Sequence, residues 1–544
     1  METPALGLGE MGGAVRRPYM VLTEEGLRRH RGHVGPEVDD SATGVEDDRF
    51  RVSDVGKLAR RTRRRIVRAA RADDLPTFTK LLTAHLGGLE DLEVVEESWP
   101  AYEHVNVQVA LDAWLADEGR DHELVGMANT RHREFGLADL LRPQLEGYGP
   151  VPGNVAWTNL ASGPDGQVRR AVRAGLYLVH DGETYSAILL LAGDPEFDRS
   201  GTRMHVVADR PGSAASIAAT IRALALEHNV FRGQVVSFGH EMFGERAAVL
   251  QFHTRPTMTA DDVILPEETL AMIRRQVVGV AEHREQLLAA RQHLKRGLLL
   301  YGPPGVGKTH TVRYLMSQLL DVTIVELTGD SLQLISTACS VARTLQPAMI
   351  VVEDVDLIAE DRGMYPGHHP LLFQLLNEMD GLAEDTDVVF LLTTNRADLL
   401  EPALAARPGR VDQAVCLDLP DAAARRRLYD LYRGDLVVDE VHLDSVIERT
   451  DQVTASFLKE LLRRAALIAA DHTADDTSDG EAEGAADARL TVSAEQLDAA
   501  LDELLDTRNA MTRVLLGGQR STTSASEPWG EPNAAHPAVA PFAY

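Results

Sequence analysis

The stretch that most constrains this chain is Leu298-Leu-Leu-Tyr-Gly-Pro-Pro-Gly-Val-Gly-Lys-Thr309. Three leucines and a tyrosine predict a short buried strand that breaks into a glycine-rich turn and then opens a helix over 310–320. Gly302, Gly307, Lys308 and Thr309 fill the fixed places of the pattern G-x-x-x-x-G-K-[ST]. Glycines let backbone N–H groups converge on phosphate oxygens, and the positive N-terminus of the helix faces the same point. Lys308 would reach the β- and γ-phosphates, and the Thr309 hydroxyl would ligate Mg²⁺. A chance glycine turn would not be framed by such a strand and helix. Gly302, Pro303, Pro304, Gly305, Val306, Gly307, Lys308, Thr309 and His310 therefore read as a nucleoside triphosphate site.

At 544 residues the chain has room for two to four domains with real cores, and its 44% hydrophobic share is ordinary for a water-exposed protein. No apolar run has the length needed to cross a bilayer, and Met1 to Tyr19 has no signal-peptide core. The two cysteines, Cys339 and Cys416, form neither a disulfide framework nor a metal pair, so a reducing cytoplasm is expected. A formal charge of −28 repels nucleic-acid backbones and anionic lipid.

In chain order, residues 1–51 are rich in glycine, charge and turn formers without a sustained period, and read as disordered. A basic run follows, with Lys57, Arg60, Arg61, Arg63, Arg64, Arg65, Arg68 and Arg71 around a thin stripe of Leu58, Ile66 and Val67. It fits either a helix that meets nucleic acid or a membrane surface, or a solvated helix that pairs with carboxylates; the second reading is favoured. Residues 52–256 read as a separate α+β domain. Asp74 to Leu86 and Val107 to Ala116 have helical character, with Trp114 buried. Ala174 to Val179 and Tyr185 to Leu191 flank His180-Asp-Gly-Glu183 and predict a β-hairpin. Met204 to Ala208, Gln234 to Phe238 and Ala248 to His253 read as strands, and Ser213 to Asn229 as an alanine-rich helix. His205, His240 and His253 lack metal-ligand spacing and read as structural groups.

Residues 257–296 read as a connector and helix into the nucleotide-binding module. Beyond the glycine-rich loop, Val322 to Leu327, Met349 to Asp356 and Val388 to Asn395 are near-continuously apolar strands, with helices between them over 335–345 and 371–379. Such alternation means α/β architecture: a parallel sheet with helices on both faces, as in P-loop NTPases. Ligands sit off the carboxyl ends of such strands, where Lys308, Glu353, Asp354 and Asn395 fall.

Four features in this order resemble the AAA family of ring-forming ATPases: Gly302 to Thr309, the acid-ended strand, Thr393-Thr-Asn395, and Ala406-Arg-Pro-Gly-Arg-Val-Asp412. Leu376-Asn-Glu-Met-Asp-Gly381 is also similar to the family. The resemblance covers roughly Val277 to Arg508. It implies Mg²⁺-dependent ATP hydrolysis in a homo-oligomeric ring, usually a hexamer, with a large α/β subdomain at 297–420 and a small helical lid at 421–510. It further implies that Arg407 and Arg410 reach a neighbour's γ-phosphate, and that Asn395 orients the attacking water or senses that phosphate. Ala422 to Arg433, Thr454 to Ala470 and Leu490 to Leu505 would be lid helices, interrupted by an acidic insert at 471–487. Residues 511–544 read as a disordered tail. Ala455-Ser456 stands where the family usually has Gly-Ala.

Two further departures matter. Most relatives end the acidic strand Asp-Glu, whereas this chain has Glu353-Asp354, an inversion shared with the branch of the mitochondrial Rieske-protein translocase. Side chains alternate faces on an extended strand. Asp354 is therefore expected to polarise the attacking water, and Glu353 to hold a Mg²⁺-bound water. The second departure is Leu327-Thr-Gly-Asp-Ser-Leu-Gln-Leu-Ile335, which replaces the family's aromatic pore loop with a shorter, non-aromatic segment. Tyr365, in Gly363-Met-Tyr-Pro-Gly367, either lines a second pore loop or sits in a surface turn. The expected function is a protein-remodelling or assembly chaperone that meets a substrate or adaptor through its amino-terminal domain. The alternatives are an unfoldase and a nucleic-acid-associated ATPase that uses residues 57–71.

Overall fold

The structure, a computed structural model, describes residues 78–128, 135–142, 150–193, 201–240, 248–357, 370–383, 385–398, 411–476 and 489–506. The readings made for residues 1–51, the basic run at 57–71, Tyr365, Arg407, Arg410 and the tail at 511–544 lie outside these residues.

The amino-terminal sheet is antiparallel throughout. Its strands are β1 (Val94–Pro100), β2 (Asp121–Ala128), β3 (Val151–Gly153), β4 (Ala156–Ala161), β5 (Val168–His180), β6 (Tyr185–Leu191) and β7 (Gly201–Ala208). The order is β1-β7-β6-β5-β2-β3, with β4 paired to the first half of β5. The expected hairpin is β5–β6, in register from Ala174↔Leu191 to His180↔Tyr185. Its turn is closed by Asp181, whose carboxylate accepts from the N–H groups of Glu183 and Thr184 at 3.0 and 2.8 Å. Alternation along β5 sends Leu176 to one side and Tyr177 to the other. Helix α1 (Phe78–Leu86) covers the first face through Phe78 and Leu82. Helices α2 (His104–Leu115) and α3 (Ser213–Glu227) cover the second through Leu111, Trp114, Ala218 and Ile221.

A second sheet runs in the order Gln413–Cys416, Arg296–Tyr301, Val388–Thr394, Ala348–Val352, Thr323–Leu327, Val235–His240 and Ala248–His253. Its parallel centre is β10 (Arg296–Tyr301), β11 (Thr323–Leu327), β12 (Ala348–Val352), β13 (Val388–Thr394) and β14 (Gln413–Cys416). Helix α4 (Glu267–Arg274) precedes β10, and α5 (Lys308–Gln318), α6 (Ile335–Thr344) and α7 (Pro370–Asp380) connect the strands. Both faces are buried, α5 over Leu298, Leu300, Ile324 and Val351, and α6 with α7 over Val325, Ile350 and Phe390.

The division expected at residue 256 is corrected by β8 (Val235–His240) and β9 (Ala248–His253). These strands do not join the amino-terminal sheet. β8 runs parallel to β11, with Ile324↔Val235 and Glu326↔Ser237, and β9 folds back on β8. The reason is unpaired backbone: β11 would otherwise expose an edge of unsatisfied N–H and C=O groups. Arg255 fixes this hairpin to α5 by donating to the carbonyls of Met316 and Leu319 at the helix C-terminus, at 3.0 and 2.8 Å. The amino-terminal part also meets this sheet, since Tyr102, Val105 of α2 and Leu160 of β4 pack in the cluster that holds Phe238 and Val325.

The lid comprises α8 (Ala422–Arg433), α9 (Leu443–Arg449), α10 (Ala455–Asp476) and α11 (Ala494–Leu505), packed on Leu428, Phe457, Leu461 and Leu501. Helix α10 runs to Asp476, past the expected start of the acidic insert at 471. Asp471 is exposed, and Ala469, Ala470 and Ala474 favour continuation of the helix. Thr491-Val492 pairs with Val437-Val438 before α11 begins, so the last helix starts four residues later than expected.

Candidate functional site

The glycine-rich loop joins β10 to α5 at the carboxyl end of the parallel sheet. Gly302 has φ +148°, and a Cβ there would fall 2.2 Å from the Leu417 carbonyl oxygen. Gly305 has φ +82°, with the Thr454 hydroxyl 2.9 Å from where its Cβ would be. Only glycine meets both demands. The Lys308 ammonium lies within the loop and donates to the Gly302 and Pro303 carbonyls, each at 2.8 Å. Burial pulls the Lys308 pKa below the usual lysine range, and the charges of Asp354 and Asp356 oppose that shift.

Thr309 and Glu353 face the same point beside the loop. Burial pushes the Glu353 pKa up and the Thr309 hydroxyl pulls it down, while Asp354 adds a second upward push. Strand β12 ends at Val352, short of the acids, and Asp354 turns into the left-handed region at φ +51°. The expected alternation of faces therefore does not extend through Glu353-Asp354. A backbone turn separates these carboxylates instead of the strand pleat.

Asp354 meets Asn395, whose side-chain N–H donates to its carboxylate at 3.2 Å. Its own backbone N–H donates to the Thr393 hydroxyl at 3.1 Å. The buried Asp356, given no role from the sequence, accepts from the Thr394 hydroxyl at 2.8 Å and from the Asn395 N–H at 3.3 Å. It thereby fixes the end of β13 that carries Asn395. The third acid of Glu-Asp-x-Asp was the available signal for it.

The His310 imidazole is engaged elsewhere, its Nε2–H donating to the Asp262 carbonyl at 2.8 Å, so this side chain ties α5 to the connector. The lid touches the loop through Ser456, whose N–H donates to the Gly305 carbonyl at 3.1 Å. Beside the loop lies a cavity of about 300 Å³, lined in part by Ile264, Pro266, Val306, Leu417, Ala424 and Leu428. Its walls come from connector, sheet and lid, and no local pattern could have announced it. The segment after β11 folds back on the core, with Leu332 buried in the cluster under α6.

Phosphate chemistry fits this donor set, an ammonium held on loop carbonyls in a glycine loop at a helix N-terminus, with a hydroxyl and carboxylates beside it. Residues 298–419 match the family model of the ATPase family associated with various cellular activities (AAA). The chain is 34% identical over 265 residues to the ATP-dependent zinc metalloprotease FtsH 2 of Sphaerobacter thermophilus, covering 46% of this chain and 37% of that protein. It is 31% identical over 229 residues to the FtsH of Thermus thermophilus, covering 40% and 36%. It is 32% identical over 229 residues to the human ATPase family gene 2 protein homolog A, covering 40% and 26%. The chain thus spans well under half the length of the curated relatives it matches. These relatives do not bear out the narrower likeness to the Rieske-protein translocase branch.

The words "zinc metalloprotease" describe those relatives. This sequence contains no His-Glu-x-x-His pair of zinc ligands, and among the described residues no group of three or more His, Cys, Asp or Glu could hold a metal. Among them, too, no helix is long and apolar enough to cross a membrane. With loop, acids and Asn395 assembled at the ends of the strands, residues 298–419 are an ATPase module of the AAA family.

Proposed function

We propose that this chain is a Mg²⁺-dependent ATPase, one subunit of a homo-oligomeric and specifically hexameric ring, that remodels or assembles a protein bound through its amino-terminal domain in the cytoplasm. The observation that carries the hydrolytic part is the pairing of Asn395 with Asp354 beside the loop that holds the Lys308 ammonium. Lys308 would release its two loop carbonyls to meet the β- and γ-phosphates, and the cavity beside Val306 would take the base. Thr309 and, through water, Glu353 would hold Mg²⁺, which supplies neutralisation of phosphate charge when bound. Asp354 would accept a proton from the attacking water, and Asn395, held by Asp356, would orient that water. Arg407 and Arg410 would complete the site of the neighbouring subunit.

A remodelling role is supported by the contact that Tyr102, Val105 and Leu160 of the amino-terminal part make with the core of the ATPase sheet, which would link a bound protein to the nucleotide cycle. It is also supported by the core-packed segment after β11, and the −28 charge disfavours nucleic acid. The test is capture by an Asp354→Asn variant held in its ATP state, with identification by mass spectrometry. ATP-dependent recovery of a defined protein that stimulates parent turnover is the expected result. Salt-sensitive recovery of DNA or RNA instead would overturn the proposal.

A further inference from the structure

The glycine-rich loop is held from two sides. The carbonyls of Gly302 and Pro303 accept from the Lys308 ammonium, each at 2.8 Å. The Gly305 carbonyl turns instead to the lid. There it accepts from Ser456 twice, from the backbone N–H at 3.1 Å and from the hydroxyl at 3.4 Å. The approach is close: a Cβ on Gly305 would stand 2.9 Å from the Thr454 hydroxyl and 3.0 Å from that of Ser456.

Ser456 is the second residue of α10, so its N–H is one of the four that a helix start leaves without an intrahelical acceptor. The Gly305 carbonyl satisfies it. Thr454 is fully buried and closes the same turn, its hydroxyl accepting from the Phe457 N–H at 3.3 Å. Phe457 and Leu458 are buried in the lid core, so the lid fixes where this donor points.

Peptide planarity carries the contact into the loop. The Gly305–Val306 bond is trans, which sets its C=O and N–H in opposite directions. With the Gly305 carbonyl toward the lid, the Val306 N–H points away from it. Val306 is buried, and among the described residues its N–H meets no backbone acceptor. A buried donor left in that state favours an anion beside it.

We propose that Ser456 is a positioning residue for the phosphate loop, turning the Gly305–Val306 peptide so that the Val306 N–H faces a bound phosphate and coupling the lid to phosphate binding. The inference rests on the nucleotide reading of the loop. The coupling is reciprocal: the factor by which the lid contact strengthens phosphate binding is the factor by which phosphate strengthens the lid contact.

The test compares ATP with pyrophosphate, which carries phosphates without the base, by calorimetric titration in one Mg²⁺ buffer. Ser456→Ala keeps the N–H and should bind both within about threefold of the parent. Ser456→Pro removes the N–H at a first-turn position, where the helix loses no bond of its own. It should weaken ATP and pyrophosphate by the same factor, about tenfold, the low end for loss of a hydrogen bond to a charged group. A general shift of the lid would weaken ATP alone, since Ala455 and Leu428 line the cavity proposed for the base. That outcome, or a parent-like Ser456→Pro, overturns the role of Ser456. An equal loss in Ser456→Ala overturns the role of the N–H. A second measurement needs no variant and so is independent of any folding defect in Ser456→Pro. In the parent, pyrophosphate should slow hydrogen exchange of the Ser456 N–H by the same factor of about tenfold, and no change overturns the coupling. A parent that binds neither ATP nor pyrophosphate overturns the nucleotide reading itself and this inference with it.

Discussion

Replacing Asp354 by Asn removes a carboxylate while leaving its surroundings in place. Asp354 sits in the left-handed region at φ +51°, a conformation that Asn adopts as readily as Asp. Its backbone N–H keeps the Thr393 hydroxyl, and the side chain is exposed. The variant should therefore match the parent in stability within about 0.5 kcal/mol. Alanine at the same position would add about 1–2 kcal/mol of backbone strain and confuse the result. The Asp354 charge also acts on Lys308, but an exposed carboxylate contributes little, so ATP affinity should change by less than about fivefold. Loss of the proton acceptor should cut turnover by about 10²–10⁴, equivalent to about 3–5 kcal/mol in the barrier. Phosphate release and titration with a fluorescent ATP analogue separate the two quantities, and a thermal melt reports the fold. Hydrolysis at the parent rate would refute the assignment and make Glu353 the candidate base.

Three other outcomes are expected. Arg407→Ala and Arg410→Ala should each keep ATP binding and lose about 10³-fold in turnover. Mixing Arg410→Ala with Asp354→Asn subunits should restore part of the activity, and full activity at a monomeric mass in light scattering would contradict the ring. Gly305→Ala would force a Cβ to 2.9 Å from the Thr454 hydroxyl in a left-handed backbone. Nucleotide affinity should fall by about tenfold or more, the equivalent of about 1–2 kcal/mol of strain, with the melting temperature of the amino-terminal domain unchanged.

The last of the three concerns pH. Burial holds the His104 pKa below its usual range, and its Nε2–H donates to the Val172 carbonyl at 2.9 Å. The unfolded chain binds a proton there near pH 6.5 and the folded chain does not. Stability is thus complete above that pH and falls as pH drops toward the folded pKa, by up to about 1.4 kcal/mol per pH unit. The parent should lose more in melting temperature between pH 7.5 and 5.5 than His104→Gln, and parallel losses would remove the argument.

The parallel sheet and the loop were legible because their signals are local: apolar runs of strand length, and a spacing that only one phosphate geometry requires. Lys308, Thr309, Glu353, Asp354 and Asn395 came from the same logic, since the ends of such strands converge. The placement of β8 and β9 was not legible. Val235 pairs with Ile324, 89 residues later, and both candidate sheets offer the same apolar pattern to such a strand. The left-handed turn at Asp354 hid the end of β12, because apolar periodicity says nothing about φ at the residue after it. Contacts made by the lid, such as Ser456 with the Gly305 carbonyl, join segments about 150 residues apart and leave no periodic trace. Asp356 lay within a recognised motif, yet its task depends on Thr394 and Asn395 across the neighbouring strand.

If the loop from Gly302 to Thr309 binds ATP through Lys308, loss of that side chain should abolish tight binding. Calorimetric titration of Mg²⁺-ATP into the parent and into Lys308→Ala tests it most directly. The Lys308 ammonium is buried among loop carbonyls and is the loop's cation for the β- and γ-oxygens. The parent should bind with a measurable heat, and Lys308→Ala should lose about 10²-fold or more in affinity while keeping its melting profile. Equal affinity for the two proteins would contradict the account.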